Sequence, residues 1–185
     1  MTELMLKFKG NRDYIHGTDL FDTIVREVGA EAPMELQLKA VARYQVNLRD
    51  QAEVDVKDRV IGFFGQPSGR IALVEDSRRP VTESYTYDED QVCDGAQVAN
   101  GCAEVSRKWP YSFIETAVAL NKLLMRDQLP SVGEWWFVQV SLSVDPQDTE
   151  RVGLCARSPL VPRLVVSEVY ADGVEIGTIG FAARK

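Results

Sequence analysis

One histidine in 185 residues, His16, is too few for the usual zinc-enzyme ligand set, and Cys93, Cys102 and Cys155 lack the C-x-x-C spacing that would make up the shortfall. An odd cysteine count without that spacing also argues against a disulfide framework, so reduced and inert thiols are expected. The chain has no G-x-S-x-G, no Walker loop and no G-x-G-x-x-G, which removes the commonest serine-hydrolase and nucleotide signatures and leaves no cofactor to expect. Nowhere do about 18 apolar residues run together. Met1 to Lys9 breaks its short apolar stretches with Glu3, Lys7 and Lys9, so neither a membrane span nor a signal-peptide core is expected. With a formal charge of −7 and no long Lys/Arg run, nucleic acid and anionic membrane are poor partners. A soluble, cytoplasmic protein follows as the expectation. Its 45% hydrophobic and 26% charged composition is that of an ordinary globular chain, long enough to bury its own core.

What is present is a pattern of alternating periods. Leu4, Leu6 and Phe8 alternate within Met1 to Gly10 and predict a short strand. Leu20, Phe21, Ile24, Val25 and Val28 recur at helical spacing, with Asp19 as a candidate cap and Gly29 where the helix should stop. From Glu35 to Arg49 the period falls to two, predicting one long, half-buried strand. Val60–Phe64 and Ile71–Val74, separated by Gln66-Pro67-Ser68-Gly69, predict a hairpin with a longer loop. Between Asp76 and Lys108 periodicity fades and Asp88, Glu89, Asp90, Asp94, Gly95 and Gly101 collect, which reads as a connecting segment. Asp88-Glu89-Asp90 lacks the alternating ligands of a calcium loop and is expected to be a solvated acidic stretch.

The order then returns. Ser112 with Glu115 three residues on has the form of a capping box, and Phe113 to Arg126 is apolar nearly all round, so this helix must be wrapped by protein. A long strand follows Gly133, with Trp136, Val138, Val140, Leu142 and Val144 expected on its core face, and Trp135 and Phe137 left for an interface or the other sheet face. Asp172-Gly173 between two apolar runs is the strongest hairpin signal in the chain. The expected fold is therefore α+β in two similar halves, each a helix followed by antiparallel strands. Residues 1–80 make the first half, 81–108 the connection and 109–185 the second half.

The segment Phe113-Ile114-Glu115-Thr116-Ala117-Val118-Ala119-Leu120 resembles the central-helix segment of beta-hydroxyacyl carrier-protein dehydratases, and Tyr14-Ile15-His16-Gly17 resembles their histidine turn. That resemblance implies a hotdog fold, here a double hotdog, and an enzyme of acyl thioesters, a dehydratase or a thioesterase. It implies that one half supplies His16 and the other Glu115 as catalytic pair; Asn121 is a further candidate for substrate contact. The turn reads His16-Gly17-Thr18-Asp19 where the family has His-Phe-Pro-Gly, and Ala119 stands where a polar side chain usually follows the acid. The implied partner is an acyl thioester of coenzyme A or a carrier protein, with a homodimer compatible and no metal. Because the chain is acidic, a carrier-protein donor would require a local basic patch around Arg78, Arg79, Arg107 and Lys108. The residues equally allow a non-catalytic α+β module that binds a small molecule or a protein, with Glu115 serving only its capping box.

Overall fold

A computed structural model describes residues 2–157 and 163–183, and divides into two compact units between Tyr87 and Asp88. In the first unit the chain runs β1 (Thr2–Glu3), β2 (Phe8–Lys9), α1 (Gly17–Val28), β3 (Met34–Leu38), β4 (Tyr44–Asp50), β5 (Arg59–Gln66), β6 (Gly69–Pro80) and β7 (Ser84–Tyr85). Its sheet has the order β1-β4-β6-β5-β3, while β2 and β7 form a separate parallel pair. The N-terminal alternation thus serves two short strands rather than one. Helix α1 is amphipathic as expected and buries Leu20, Phe21 and Ile24, but it begins three residues before the expected apolar run. His16, not Asp19, occupies its N-cap position.

The expected long strand from Glu35 to Arg49 is broken in two, and the reason is local. After β3, Lys39 and Ala40 donate their N–H groups to the Ile61 carbonyl, and the Ala42 carbonyl accepts from Ile15. Arg43 and Tyr44 then donate to the buried carboxylate of Glu75 at 2.6 and 3.1 Å, a side chain taking the place of a neighbouring strand. Period-two hydrophobicity continues through this bend in residue type only: Ala42 is buried, while Lys39, Ala40 and Arg43 are exposed. The β5–β6 hairpin is tighter than expected: Gln66 pairs directly with Gly69, leaving only Pro67 and Ser68 in the loop.

In the second unit, α2 (Glu89–Val92), β8 (Gln97–Ala99), β9 (Cys102–Ser106), α3 (Phe113–Gln128), β10 (Trp135–Leu142), β11 (Arg151–Ala156), β12 (Val165–Ala171) and β13 (Val174–Ala183) follow, with sheet order β10-β13-β12-β11-β9-β8. Stretch 81–108 therefore carries regular structure, and β9 pairs with β11 inside the sheet. Helix α3 lies against β9, β10 and β11 and buries ten residues, the consequence of its nearly unbroken apolar surface. Each fully buried Leu or Met among them contributes about 1.5–3 kcal/mol by leaving water. Asp172 and Gly173 both have positive φ, 50° and 84°, the geometry a two-residue turn between β12 and β13 requires.

The aromatic strand departs from expectation. A register shift between Phe137 and Gln139 makes Val138 a bulge, and every side chain before it changes face. Trp135 and Phe137 are consequently buried with Val140 and Leu142, and Trp136 is only half-buried. The cysteines depart too. Cys102 and Cys155 stand opposite each other on β9 and β11 and form a disulfide, overturning the expectation of three reduced thiols; 53 residues of separation had hidden their pairing.

The halves share one detail closely. In the first, Ile61-Gly62 faces Gln37-Leu38: Gly62 pairs with Leu38, Ile61 is skipped in the register to β6, and its carbonyl accepts from Lys39 at 2.8 Å. In the second, Ile176-Gly177 faces Ser141-Leu142: Gly177 pairs with Leu142, Ile176 is skipped in the register to β12, and its carbonyl accepts from Ser143 at 2.7 Å. The same bulge thus locks the strand that follows the helix in each half.

Candidate active site

His16 is buried, its backbone extended at φ −74°, ψ 141° just before α1. The Ile15 N–H bond to Ala42 fixes the approach of the chain, and the His16 carbonyl accepts the helix's first bond from Leu20 at 3.2 Å. Its side chain does not cap the helix; Nδ1 lies 2.8 Å from Thr18 Oγ1. Thr18 is itself fully buried and also stands 3.0 Å from Lys9 Nζ and 3.2 Å from Asp19 Oδ1. Asp19 reaches Lys9 at 2.9 Å with one oxygen and accepts from the Tyr85 hydroxyl at 2.8 Å with the other. Its negative charge in the first turn is also favourable to the helix dipole.

Glu115 is half-buried in the first turn of α3 and closes the capping box read from the sequence. Its N–H donates to Ser112 Oγ at 3.1 Å, and its carboxylate accepts from the Ser112 N–H at 3.0 Å. Asn121, on the same helix, is fully buried; its Oδ1 accepts from Ser167 Oγ at 2.7 Å, and its Nδ2 has no hydrogen-bond partner among the described residues. The basic residues that a carrier-protein donor would require are already engaged. Arg78 is paired with Asp76, Arg79 with Glu3, Arg107 with the Gln147 carbonyl and Lys108 with Asp94.

Sequence reasoning missed Lys9, Tyr85 and Ser167, because their partners lie in other elements, and Thr18, because no spacing marks it. Cys93 is a half-buried thiol pushed up to about 12, first by burial and then by the nearby carboxylates Glu89 and Asp90, which leaves little thiolate near neutrality. A shallow cleft of ≈ 300 Å³ on the second unit is lined by Gln97, Glu104, Gly153, Tyr170 and the disulfide, and one of ≈ 170 Å³ on the first by Met5, Gln45 and Arg79. Neither is lined by His16, Glu115 or Asn121. Among the described residues no group of three or more His, Cys, Asp or Glu side chains could hold a metal ion, and no helix is long and apolar enough to cross a membrane.

No family model matches the sequence, and no curated protein does. Among solved structures, the chain is similar to a trans-AT PKS dehydratase domain from Brevibacillus brevis, with 7% identity, 93% of this chain and 86% of that chain covered, and a TM-score of 0.51. The chain has a hotdog fold. The dehydratase domain of PpsC from Mycobacterium tuberculosis, solved in complex with C12:1-CoA, matches this hotdog chain at 12% identity and a TM-score of 0.47, covering 92% of this chain and 85% of that one. The erythromycin dehydratase matches it at 16% and 0.46, covering 92% and 82%. At such identities the likeness is one of fold, and the chemistry of the hotdog chain has to be argued from its own residues.

Proposed function

We propose that this chain is a hotdog enzyme acting on an acyl thioester, as a dehydratase or a thioesterase, with His16 and Glu115 sharing general acid–base work and Asn121 contacting substrate. The observation that carries the reading is the setting of His16. The chain's one histidine is buried at the start of α1 with its ring nitrogen held by Thr18, support that a solvent-facing turn residue does not need and a positioned base does. In dehydration the imidazole takes the α-proton as that C–H bond breaks, and a carboxylic acid gives a proton to the departing β-hydroxyl, which leaves as water. In hydrolysis the imidazole instead orients a water toward the thioester carbonyl. Backbone N–H groups at the start of α3 are suited to polarising that carbonyl.

Coenzyme A thioesters are the first probes, since a chain of charge −7 whose Arg78, Arg79, Arg107 and Lys108 are already engaged is poorly matched to an acidic carrier. The full chain is assayed with a 3-hydroxyacyl-CoA for enoyl formation and with a saturated acyl-CoA for thiol release. His16→Ala and Glu115→Gln are each expected to lower kcat by about 10²–10⁴-fold. Glutamine also closes a capping box, so Glu115→Gln should melt where the wild type does. Absence of turnover with both thioesters, or unchanged rates in both variants, would sink the reading.

One observation favours a second reading, a non-catalytic small-molecule-binding module: the Glu115 carboxylate is committed to the Ser112 N–H. On that reading a coenzyme A thioester binds measurably by calorimetry and is recovered intact.

A further inference from the structure

Lys9 is fully buried on β2, takes no part in the acid–base scheme above, and stands one atom away from the histidine. A buried ammonium is strongly disfavoured unless it is paired and hydrogen-bonded. Here it lies 2.9 Å from Asp19 Oδ1, 3.0 Å from Thr18 Oγ1 and 4.2 Å from the centre of the Tyr87 ring, so anion, acceptor and π-face all converge on it.

The Thr18 hydroxyl is the centre of the cluster and has three neighbours: Lys9 Nζ, Asp19 Oδ1 and His16 Nδ1. A hydroxyl has one hydrogen to give and two lone pairs to receive with. An ammonium can only donate and a carboxylate can only accept. Two of the three directions are therefore set: Thr18 receives from Lys9 and gives its hydrogen to Asp19, the charged and stronger acceptor. Its remaining lone pair can be matched only by an N–H from the imidazole.

We propose that Lys9 is a positioning residue for His16: by filling one lone pair of Thr18 and pairing with the carboxylate that takes Thr18's hydrogen, it fixes the imidazole as the Nδ1–H tautomer, with Nε2 as the basic nitrogen. The catalytic consequence rests on His16 being the base; the tautomer does not. Without Lys9, Asp19 loses its cation and the Thr18 hydroxyl loses its donor, so the hydrogen-bond directions that set the tautomer are released.

Because the chain has a single histidine, a long-range ¹H–¹⁵N spectrum of the labelled full-length protein at neutral pH reads this one ring without overlap. The wild type should show a single Nδ1–H pattern; an Nε2–H pattern overturns the proposal. Lys9→Met should lose that pattern, to imidazolium or to a tautomer mixture, and Lys9→Arg should restore it. A folded Lys9→Met protein with the wild-type spectrum overturns the role of Lys9. If Lys9→Met does not fold, the wild-type Lys9 nitrogen decides: an exchange-protected ammonium signal supports the donor assignment, and a neutral amine overturns it. Thr18→Val, which removes the hydroxyl and keeps the shape, should likewise release the tautomer, and an unchanged ring signal overturns the hydrogen-bond assignment. None of these readouts needs a substrate. An Nδ1–H ring in a protein whose His16→Ala variant keeps full thioester turnover would sink the enzymatic reading and leave the tautomer assignment standing.

Discussion

Asn121 is a polar intrusion in a helix that is otherwise apolar on nearly every side, and its amide is served at one end only. Rotating the amide by 180° exchanges oxygen for nitrogen and leaves one end unserved in either orientation. A buried unsatisfied amide group costs about 1–3 kcal/mol, so its presence asks for a compensating role. Asn121→Leu, which strands the Ser167 hydroxyl, should lower stability in urea melts by about 1–3 kcal/mol, and adding Ser167→Ala should return most of it. If Asn121 meets substrate, the refolded double variant should still show a raised KM for the thioester; a KM equal to wild type assigns the pair to structure alone. At this scale legibility was uneven. Glu115 and Ser112 were readable because a capping box is a local rule. His16 was visible only as a rare residue, and the function given to Asp19 was the wrong one, a cap instead of an anion. Lys9 could not be found at all, since its partners belong to a helix that begins eight residues later and to Tyr87, far along the chain beyond β7.

Among elements, the misreadings have one physical origin. Period-two hydrophobicity identifies the faces of a strand but is blind to a bulge or a bend, since the alternation of residue types reads the same with or without one. Val138 reverses the faces of Trp135, Trp136 and Phe137, and the bend after Leu38 divides a continuous alternation. The two Ile-Gly bulges are the counterpart: an added Cβ would lie 2.4 Å from the Gln37 carbonyl oxygen at Gly62 and 1.9 Å from that of Ser141 at Gly177. Backbone has to move in each case. Gly62→Ala and Gly177→Ala should each cost on the order of 1–3 kcal/mol as overpacked positions. Gly133→Ala, where an added methyl meets nothing within 4 Å, should stay near wild type in the same thermal melts. Equal stability of all three would contradict the bulge assignment.

For the molecule as a whole, the order helix, long strand, hairpin was legible twice; the structure has a second strand before the hairpin in each half, β4 in the first and β11 in the second. What the pattern could not carry is how the hairpin docks. Between the first and second strands after the helix, β5 lies next to β3 in the first unit, whereas the later hairpin strand β13 lies next to β10 in the second. The hairpin is turned round, and no local signal in the sequence distinguishes the two insertions. The thiol inventory belongs to this scale as well. Denatured, unreduced protein should give one thiol equivalent, Cys93, and reduced protein three; native Cys93 should alkylate far more slowly near neutrality than in the denatured chain, because a thiol raised to about 12 carries almost no thiolate there. Three equivalents before reduction would refute the pairing.

The bond between β9 and β11 also acts where no fold remains. It closes a ring of covalent chain between residues separated by 53 positions that contains the whole of α3 and β10, so the unfolded polypeptide cannot spread as an open chain would. In chain-entropy terms a ring of that size withholds about 4 kcal/mol of freedom from the denatured ensemble. Part of what keeps the central helix of the second half in place is therefore a restriction on its unfolded form.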